Sequence, residues 1–159
     1  MVITTLPTYL SVSFEPETIM YQYRAIVLKV IDGDTIDVDL DLGFDVWLKK
    51  QRIRLYGLDT PESRTRDLEE KKFGLLAKNF VLEYCPIGGE IIVQTHKDDA
   101  RGKFGRILGE LIVNNGEINL NELMIYKNLA VRYHGQSKDD IELEHLENRK
   151  ILLEQGIIL

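Results

Sequence analysis

The sequence predicts an α+β fold, a five-stranded Greek-key β-barrel accompanied by three helices. Two observations support this prediction. Five segments rich in β-branched residues, one of them strictly alternating, have the lengths and turn signals of strands. An amphipathic segment between the third and fourth of them, and two capped segments later in the chain, have the patterns of helices. With 159 residues, the chain is long enough for one domain with an ordinary core.

The first two strands form a predicted hairpin. Residues 25–31 are β-rich, and the Asp-Gly dipeptide at residues 32–33 is a strong hairpin-turn signal. From residue 36 to 42, apolar residues alternate with three aspartates, which predicts one apolar face and one acidic, solvated face. Asp34 falls on the apolar parity at the start of this strand. Because desolvating a lone carboxylate is costly, Asp34 needs a partner or a cation.

The third strand and the first helix follow. The strand, residues 44–56, changes its apolar phase between Leu48 and Ile53, which predicts a β-bulge. Apolar residues then recur at helical spacing over residues 73–84, so this segment is predicted to be an amphipathic helix. Pro86 and the glycines after it are expected to end that helix.

Two more strands and two capped helices complete the predicted fold. The strands are residues 90–95 and 106–113. Asn119, with a glutamate three residues later, predicts the start of a short helix, and Ser137 opens a last helix that ends near Gly156. The order β-β-β-α-β-β-α-α matches the five-stranded OB-fold, the Greek-key barrel that binds oligonucleotides.

Domain organisation and location follow from weaker signals. Residues 1–22 show little periodicity and are predicted to be an N-terminal extension, so the OB-fold domain is predicted to span residues 23–159. No basic segment followed by a sustained apolar run is visible, and no apolar run approaches membrane-spanning length. We therefore expect an intracellular, cytoplasmic protein with no membrane contact, and we expect it to be a monomer.

The charge of the chain restricts how it could bind nucleic acid. Lys and Arg number 20 and Asp and Glu number 26, which gives a formal net charge of −6. Phosphate contacts normally come from clustered basic residues, so this balance argues against a protein that coats nucleic acid along its backbone. It favours chemistry at one focused site. Charge alone would also permit a protein-interaction domain with an acidic surface.

Cysteine and histidine supply no candidate metal site. Cys85 is the only cysteine, which excludes a disulfide framework within the chain and a zinc site built from thiolates. Its apolar neighbours predict a buried structural thiol. His96, His134 and His145 lack metal-ligand spacing, and we expect them to have surface or packing roles.

Three short polar segments are candidates for one site. The central segment, residues 54–62 (Arg-Leu-Tyr-Gly-Leu-Asp-Thr-Pro-Glu), brings a guanidinium and two carboxylates to the end of the third strand. Carboxylate oxygens suit a hard divalent cation, and an arginine fork suits a phosphate. Asp59 could bind the same cation as Asp34. Proline holds Thr60 extended, so the Thr60 carbonyl could be a further ligand, and Glu62 could reach a water molecule.

The other two segments are residues 31–35 (Ile-Asp-Gly-Asp-Thr) and residues 103–106 (Lys-Phe-Gly-Arg). Each segment alone has an ordinary explanation: a hairpin turn, a basic loop end, or, for the central segment, a surface loop with an incidental ion pair. Together, in this order, they lie on elements whose ends can converge at one barrel mouth. Their combination favours a site for attack on a phosphodiester.

These three segments resemble those of the thermonuclease family, the staphylococcal-nuclease-like domains, and the resemblance covers roughly residue 23 to the last helix. It implies an OB-type barrel and calcium-dependent hydrolysis of DNA and RNA at the 5′-oxygen side, leaving 3′-phosphate ends. Matched position by position, Asp34 and Asp59 would be the Ca²⁺ carboxylates and Thr60 the carbonyl ligand.

The same resemblance implies roles for the remaining site residues. Glu62 would activate or orient the attacking water, and Arg54 and Arg106 would neutralise the phosphate as charge develops. Lys103 and Tyr133 are the candidates for substrate contacts. The chain departs from the staphylococcal type in its longer second hairpin and in having phenylalanine, not tyrosine, before the glycine of the third segment.

An alternative reading is a catalytically silent OB-fold module that only binds nucleic acid, as degenerate repeats of the family do. The presence of every charged residue of the motif favours the active enzyme. Those residues are Asp34, Arg54, Asp59, Glu62 and Arg106.

Overall fold

The structure, a computed structural model, describes residues 20–96 and 106–157. In chain order its elements are β1 (Met20–Asp32), β2 (Thr35–Asp41), β3 (Trp47–Leu55), β4 (Leu58–Asp59), α1 (Leu68–Tyr84), β5 (Glu90–His96), β6 (Ile107–Val113), β7 (Ile118–Asn119), α2 (Leu120–Tyr126), β8 (Val131–Arg132) and α3 (Lys138–Glu154). The predicted boundary after residue 22 stays a prediction, because residues 1–19 lie outside the described part.

The five long strands close into a barrel. Their order is β3-β2-β1-β5-β6, with the short β7 added beyond β6, and neighbours in this order are antiparallel. A short parallel pairing of β3 with β6, from Ile53 opposite Ile107 to Leu55 opposite Gly109, closes the sheet. The five-stranded barrel with three helices is therefore confirmed. The two-residue strands β4, β7 and β8 were not predicted.

A β-bulge bends β3 where the apolar phase changes. Val38 of β2 faces Gln51, but Leu40 faces Leu48, so β3 contains one more residue than its partner between these pairs. Lys50 lies in this extra stretch with φ of 52°. The bulge restores the inward direction of the later β3 side chains, because side chains alternate between the two faces. The predicted bulge is confirmed.

Helix caps form where the sequence predicts them. The Asn119 side chain accepts a hydrogen bond from the Glu122 amide, and the Ser137 hydroxyl accepts one from the Asp140 amide. Helix α1 begins at Leu68, five residues before the periodic segment, because Asp67 caps it. The structure contains no helix, within the described residues, that is long and apolar enough to cross a bilayer.

The acidic face of β2 is neutralised by ion pairs on neighbouring strands. The guanidinium of Arg52 lies 2.8 Å from Asp37, and the ammonium group of Lys49 lies 3.4 Å from Asp39. Asp41 pairs in the same way with an arginine of β1, at 2.9 Å. The predicted solvated face is thus a charge-balanced one, although such exposed pairs stabilise the fold only weakly.

The barrel core is apolar and closed to water. Its largest fully buried side chains include Ile36, Ile53, Leu111 and Met124. Cys85 is fully buried after α1, and burial raises the pKa of its thiol to about 12, which confirms the predicted structural thiol.

Asn121 of α2 forms hydrogen bonds with the backbone where β3 and β6 close the barrel. Its side-chain amide donates to the carbonyls of Tyr56 and Gly109, at 3.0 and 3.2 Å. Its side-chain oxygen accepts from the Leu111 amide at 3.1 Å. Because Asn121 is only 2% exposed, water cannot replace these bonds. The residue therefore fixes the end of β3, from which the candidate site extends.

Asn121→Ala should lower the free energy of unfolding by about 3 kcal/mol, because it removes three hydrogen bonds, among them the one from the buried Leu111 amide. Urea denaturation followed by circular dichroism measures the loss. Asn79→Ala, the same replacement at an exposed position of α1, is the matched control and should change stability little. A loss for Asn121→Ala no larger than that of the control would contradict the role given to this side chain.

Candidate functional site

An arginine with little solvent exposure holds two carboxylates at the mouth of the barrel. Nη1 of Arg54 lies 3.2 Å from Oδ2 of Asp34, and Nη2 lies 3.3 Å from Oδ1 of Asp59. The Arg54 side chain is 15% exposed, so these charge pairs are weakly screened. The structure thus brings two of the predicted cation ligands to one of the predicted phosphate-binding arginines.

The barrel topology explains why these three residues meet. Arg54 lies opposite Thr35 in the β2–β3 register. Thr35 directly follows Asp34, the last residue of the turn. Asp59 belongs to β4, which pairs with β8 so that Asp59 lies opposite Val131. Local strand pairing therefore sets the Arg54–Asp34 contact, whereas the position of Asp59 also depends on the C-terminal part of the chain.

Asp34 is held by neutral donors as well. The Thr35 hydroxyl donates to its Oδ1 at 2.9 Å, and the Thr60 amide donates to its Oδ2 at 3.4 Å. Burial raises the pKa of Asp34 above its ordinary value, while Arg54 and the Thr35 hydroxyl oppose that shift. Thr60 is 2% exposed, and its hydroxyl has no hydrogen-bond partner among the described residues.

Glu62 lies close to Asp32, a residue for which the sequence indicates only a turn. Desolvation is the largest cause of a raised pKa at Glu62, and repulsion from Asp32 and Asp34 adds to it; together they raise this pKa to about 7. Asp32 itself accepts from the amides of Gly33 and Ser63, at 3.0 and 3.5 Å. Its place in the Asp-Gly-Asp segment was the signal that could have identified it.

The donor chemistry fits a hard divalent cation. Four carboxylates influence one another here, those of Asp32, Asp34, Asp59 and Glu62, and their mutual repulsion is what a cation would offset. Within residues 20–96 and 106–157, no group of three His, Cys, Asp or Glu side chains is arranged to hold a metal ion. A cation would therefore need other oxygens as well, such as the Thr60 carbonyl and water.

A cleft of about 1040 Å³ opens beside Asp59 and Glu62, the two members of this cluster that line it. Arg54, Asp59, Glu62, Arg106 and Tyr133 all line it, so the structure brings together predicted site residues from three parts of the chain. Tyr133 is 45% exposed there. The predicted substrate contact Lys103 lies outside the described residues.

Close packing of α1 sets the position of the Glu62 backbone. A Cβ atom at Gly74 of α1 would come within 2.4 Å of the Glu62 carbonyl group. Likewise, a Cβ atom at Gly33 would come within 2.8 Å of the Cβ atom of Ala77. Since real Cβ contacts are not this short, glycine at both positions allows the helix to press against two of the three motif segments.

His145 is the polar contact that sequence reasoning missed. Its Nε2 lies 2.8 Å from Oδ2 of Asp59, although the two residues are 86 positions apart. His145 is 9% exposed on α3, which agrees with the expected packing role, but its contact with Asp59 was not predicted. Histidine spacing carried no signal, because the contact depends on how α3 docks on the barrel.

Barrel and cleft together define a class of protein: an OB-fold whose mouth joins a carboxylate cluster to arginines. Residues 52–150, more than half of the chain, match the family model described as staphylococcal nuclease homologue. The chain belongs to the staphylococcal nuclease family, as its three motif segments predicted.

Relatives cover different shares of the chain. An uncharacterised protein of Methanocaldococcus jannaschii is 31% identical over 150 residues, covering 80% of this chain and 70% of that protein. The thermonuclease of Staphylococcus intermedius is 30% identical over 95 residues, covering 60% and 52%. Endonuclease YhcR of Bacillus subtilis is 28% identical over 117 residues, covering 70% of this chain and 9% of that protein. The chain thus spans about half of the thermonuclease and a small part of the endonuclease.

The raised pKa of Glu62 predicts how stability responds to pH in chelator. Because the folded-state pKa of about 7 exceeds the ordinary value of 4.5, the folded chain binds this proton more tightly than the unfolded chain. The free energy of unfolding should therefore have a contribution that falls as the pH rises from about 4.5 to about 7. Urea denaturation at a series of pH values measures it.

Glu62→Gln should remove this contribution, and Glu154→Gln, an exposed replacement near the end of α3, should retain it. Identical pH slopes in wild type and Glu62→Gln would show that another group is responsible.

Proposed function

We propose that this protein is a calcium-dependent nuclease that hydrolyses the phosphodiester bonds of DNA and RNA at the 5′-oxygen side, leaving 3′-phosphate ends. The observation that carries the proposal is the placement of Arg54 between Asp34 and Asp59, in a cleft also lined by Glu62 and Arg106. Two relatives whose names describe them as a thermonuclease and an endonuclease support it.

In this proposal the two arginines receive the phosphate. Arg54 and Arg106 line one cleft, and a guanidinium can donate two parallel hydrogen bonds to a phosphoryl group. Because the guanidinium pKa lies above about 12, arginine is a poor proton donor, and both residues act by offsetting negative charge. That charge grows on the phosphoryl oxygens as the reaction proceeds, so the stabilisation is greatest in the transition state.

Asp34, Asp59 and the carbonyl of Thr60 would hold the cation beside the phosphate. When bound, Ca²⁺ would act as a Lewis acid that polarises the phosphoryl group and the attacking water. All of these ligand atoms are oxygens, which calcium prefers. The Arg54 guanidinium contacts both carboxylates and so holds them close to each other.

Glu62 is the proposed general base. Its side chain lines the same cleft, two positions after Thr60 in the chain. It would orient a water molecule and accept its proton as the water oxygen attacks phosphorus. The bond from phosphorus to the 5′ oxygen would then break, the 5′ oxygen would take a proton from solvent water and leave as a hydroxyl, and the phosphate would stay on the 3′ oxygen.

The metal dependence of cleavage tests the proposal directly. Purified protein should cleave single-stranded DNA, double-stranded DNA and RNA in calcium, should be inactive in chelator, and should yield ends that 3′-phosphatase treatment converts to hydroxyls. Gel electrophoresis of end-labelled substrates measures all three. Nucleic-acid binding in calcium without any cleavage would establish the silent OB-fold module in place of the enzyme.

Glu62→Gln should lower kcat by two to four orders of magnitude, roughly the loss seen when a positioned general base is removed. Its calcium affinity, measured by calorimetry, should stay close to that of wild type, because Glu62 is not a proposed ligand. Glu154→Gln should retain full activity. Unchanged turnover in Glu62→Gln would show that this residue is not the base.

A further inference from the structure

We propose that His145 is a positioning residue, whose hydrogen bond holds the Asp59 carboxylate in the orientation in which it binds calcium. The inference rests on the proposed function for the identity of the cation and for Asp59 as its ligand. It adds the last helix, α3, to the elements on which the site depends, and nothing in the three motif segments includes that helix.

The two oxygens of Asp59 are held from different sides. Oδ2 lies 2.8 Å from Nε2 of His145, which is carried by α3. Oδ1 lies 3.3 Å from Nη2 of Arg54, which is carried by β3. Two contacts on the two oxygens fix the rotation of the carboxylate plane. The histidine contact is the shorter one, so it sets the orientation more strictly.

The direction of the hydrogen bond follows from chemistry. An ionised carboxylate can only accept, so Nε2 of His145 must be the donor, whichever charge state the imidazole has. Each carboxylate oxygen can accept more than one bond. The contact with His145 therefore leaves lone pairs of Asp59 available to a cation.

The position of His145 is itself well determined. It is 9% exposed, so its ring has little freedom to rotate. One turn later on α3, the side-chain amide of Asn148 donates to the carbonyl of Ala130 at 3.2 Å. Ala130 directly precedes β8, which pairs with β4 and thus with Asp59. Helix α3 is consequently fixed to the same backbone that carries the carboxylate.

An orienting hydrogen bond of this kind has a known effect on metal sites. Partners that hold a ligating carboxylate typically change metal affinity or activity by about 10- to 100-fold when they are removed. His145→Leu, which keeps bulk but removes the donor, should therefore weaken calcium binding by about tenfold or more. His145→Gln, whose amide can donate from a similar position, should restore most of the affinity.

The experiment is isothermal titration of Ca²⁺ into wild type, His145→Leu and His145→Gln in the absence of nucleic acid. His145→Ala serves as the second donor-free variant if the leucine variant does not fold. Leu152→Ala is the structural control, because Leu152 is a buried apolar residue of α3 whose side chain cannot hydrogen-bond to Asp59. It should lower stability without changing the calcium Kd.

A double-mutant comparison asks whether His145 acts through Asp59. In an Asp59→Asn background, His145→Leu should cause little further loss of calcium affinity, because the group that it orients has already been altered. In cleavage assays, saturating calcium should restore much of the activity of His145→Leu. If His145→Leu acted through a general structural defect, the replacement His145→Gln would recover neither the calcium affinity nor the cleavage activity.

Each outcome decides the inference. A weakened calcium Kd in His145→Leu with recovery in His145→Gln supports it. An unchanged Kd in His145→Leu, or an equal loss in Leu152→Ala, overturns it. Wild-type protein that binds calcium but does not cleave nucleic acid would defeat the proposed function alone, and the same Kd values would still decide the role of His145. Absence of calcium binding in wild type overturns both.

Discussion

The contact of Arg54 with two acidic side chains is the interaction on which the barrel mouth depends. Asp34 is nearly buried, and an isolated charged carboxylate at such a position would be strongly unfavourable. The guanidinium compensates this charge and also reaches the backbone carbonyls of Asp34 and Leu55. The end of β3, the turn that carries Asp34 and the charge balance of the site therefore all depend on Arg54. Removing the arginine would disturb all three together.

Sequence patterns predicted what local physics determines. Alternation gave the strands, a phase change gave the bulge near Lys50, and side-chain oxygens gave the caps at Asn119 and Ser137. The motif segments likewise predicted which charged groups meet at the end of β3. In each case the signal and the structure lie within a few residues of each other, or within one strand pairing.

Other parts of the site could not be predicted, because they depend on tertiary packing. His145 approaches Asp59 only after α3 docks, and no periodicity in α3 distinguishes that contact from an ordinary buried histidine. Asp32 carries only a turn signal in the sequence, because turn chemistry alone explains an aspartate before a glycine. The close approach of Gly74 to Glu62 also has no signal in the sequence, because a glycine inside a helix normally indicates only a lower helix propensity.

The sequence distance between Asp59 and His145 has a consequence for the newly made protein. A ribosome completes Asp34, Arg54 and Asp59 first and adds His145, in α3, 86 positions after Asp59. Until that helix has been made, the nascent chain carries Asp59 without this hydrogen-bond partner. The hydrogen bond between Asp59 and His145 can therefore form only after α3 has been synthesised.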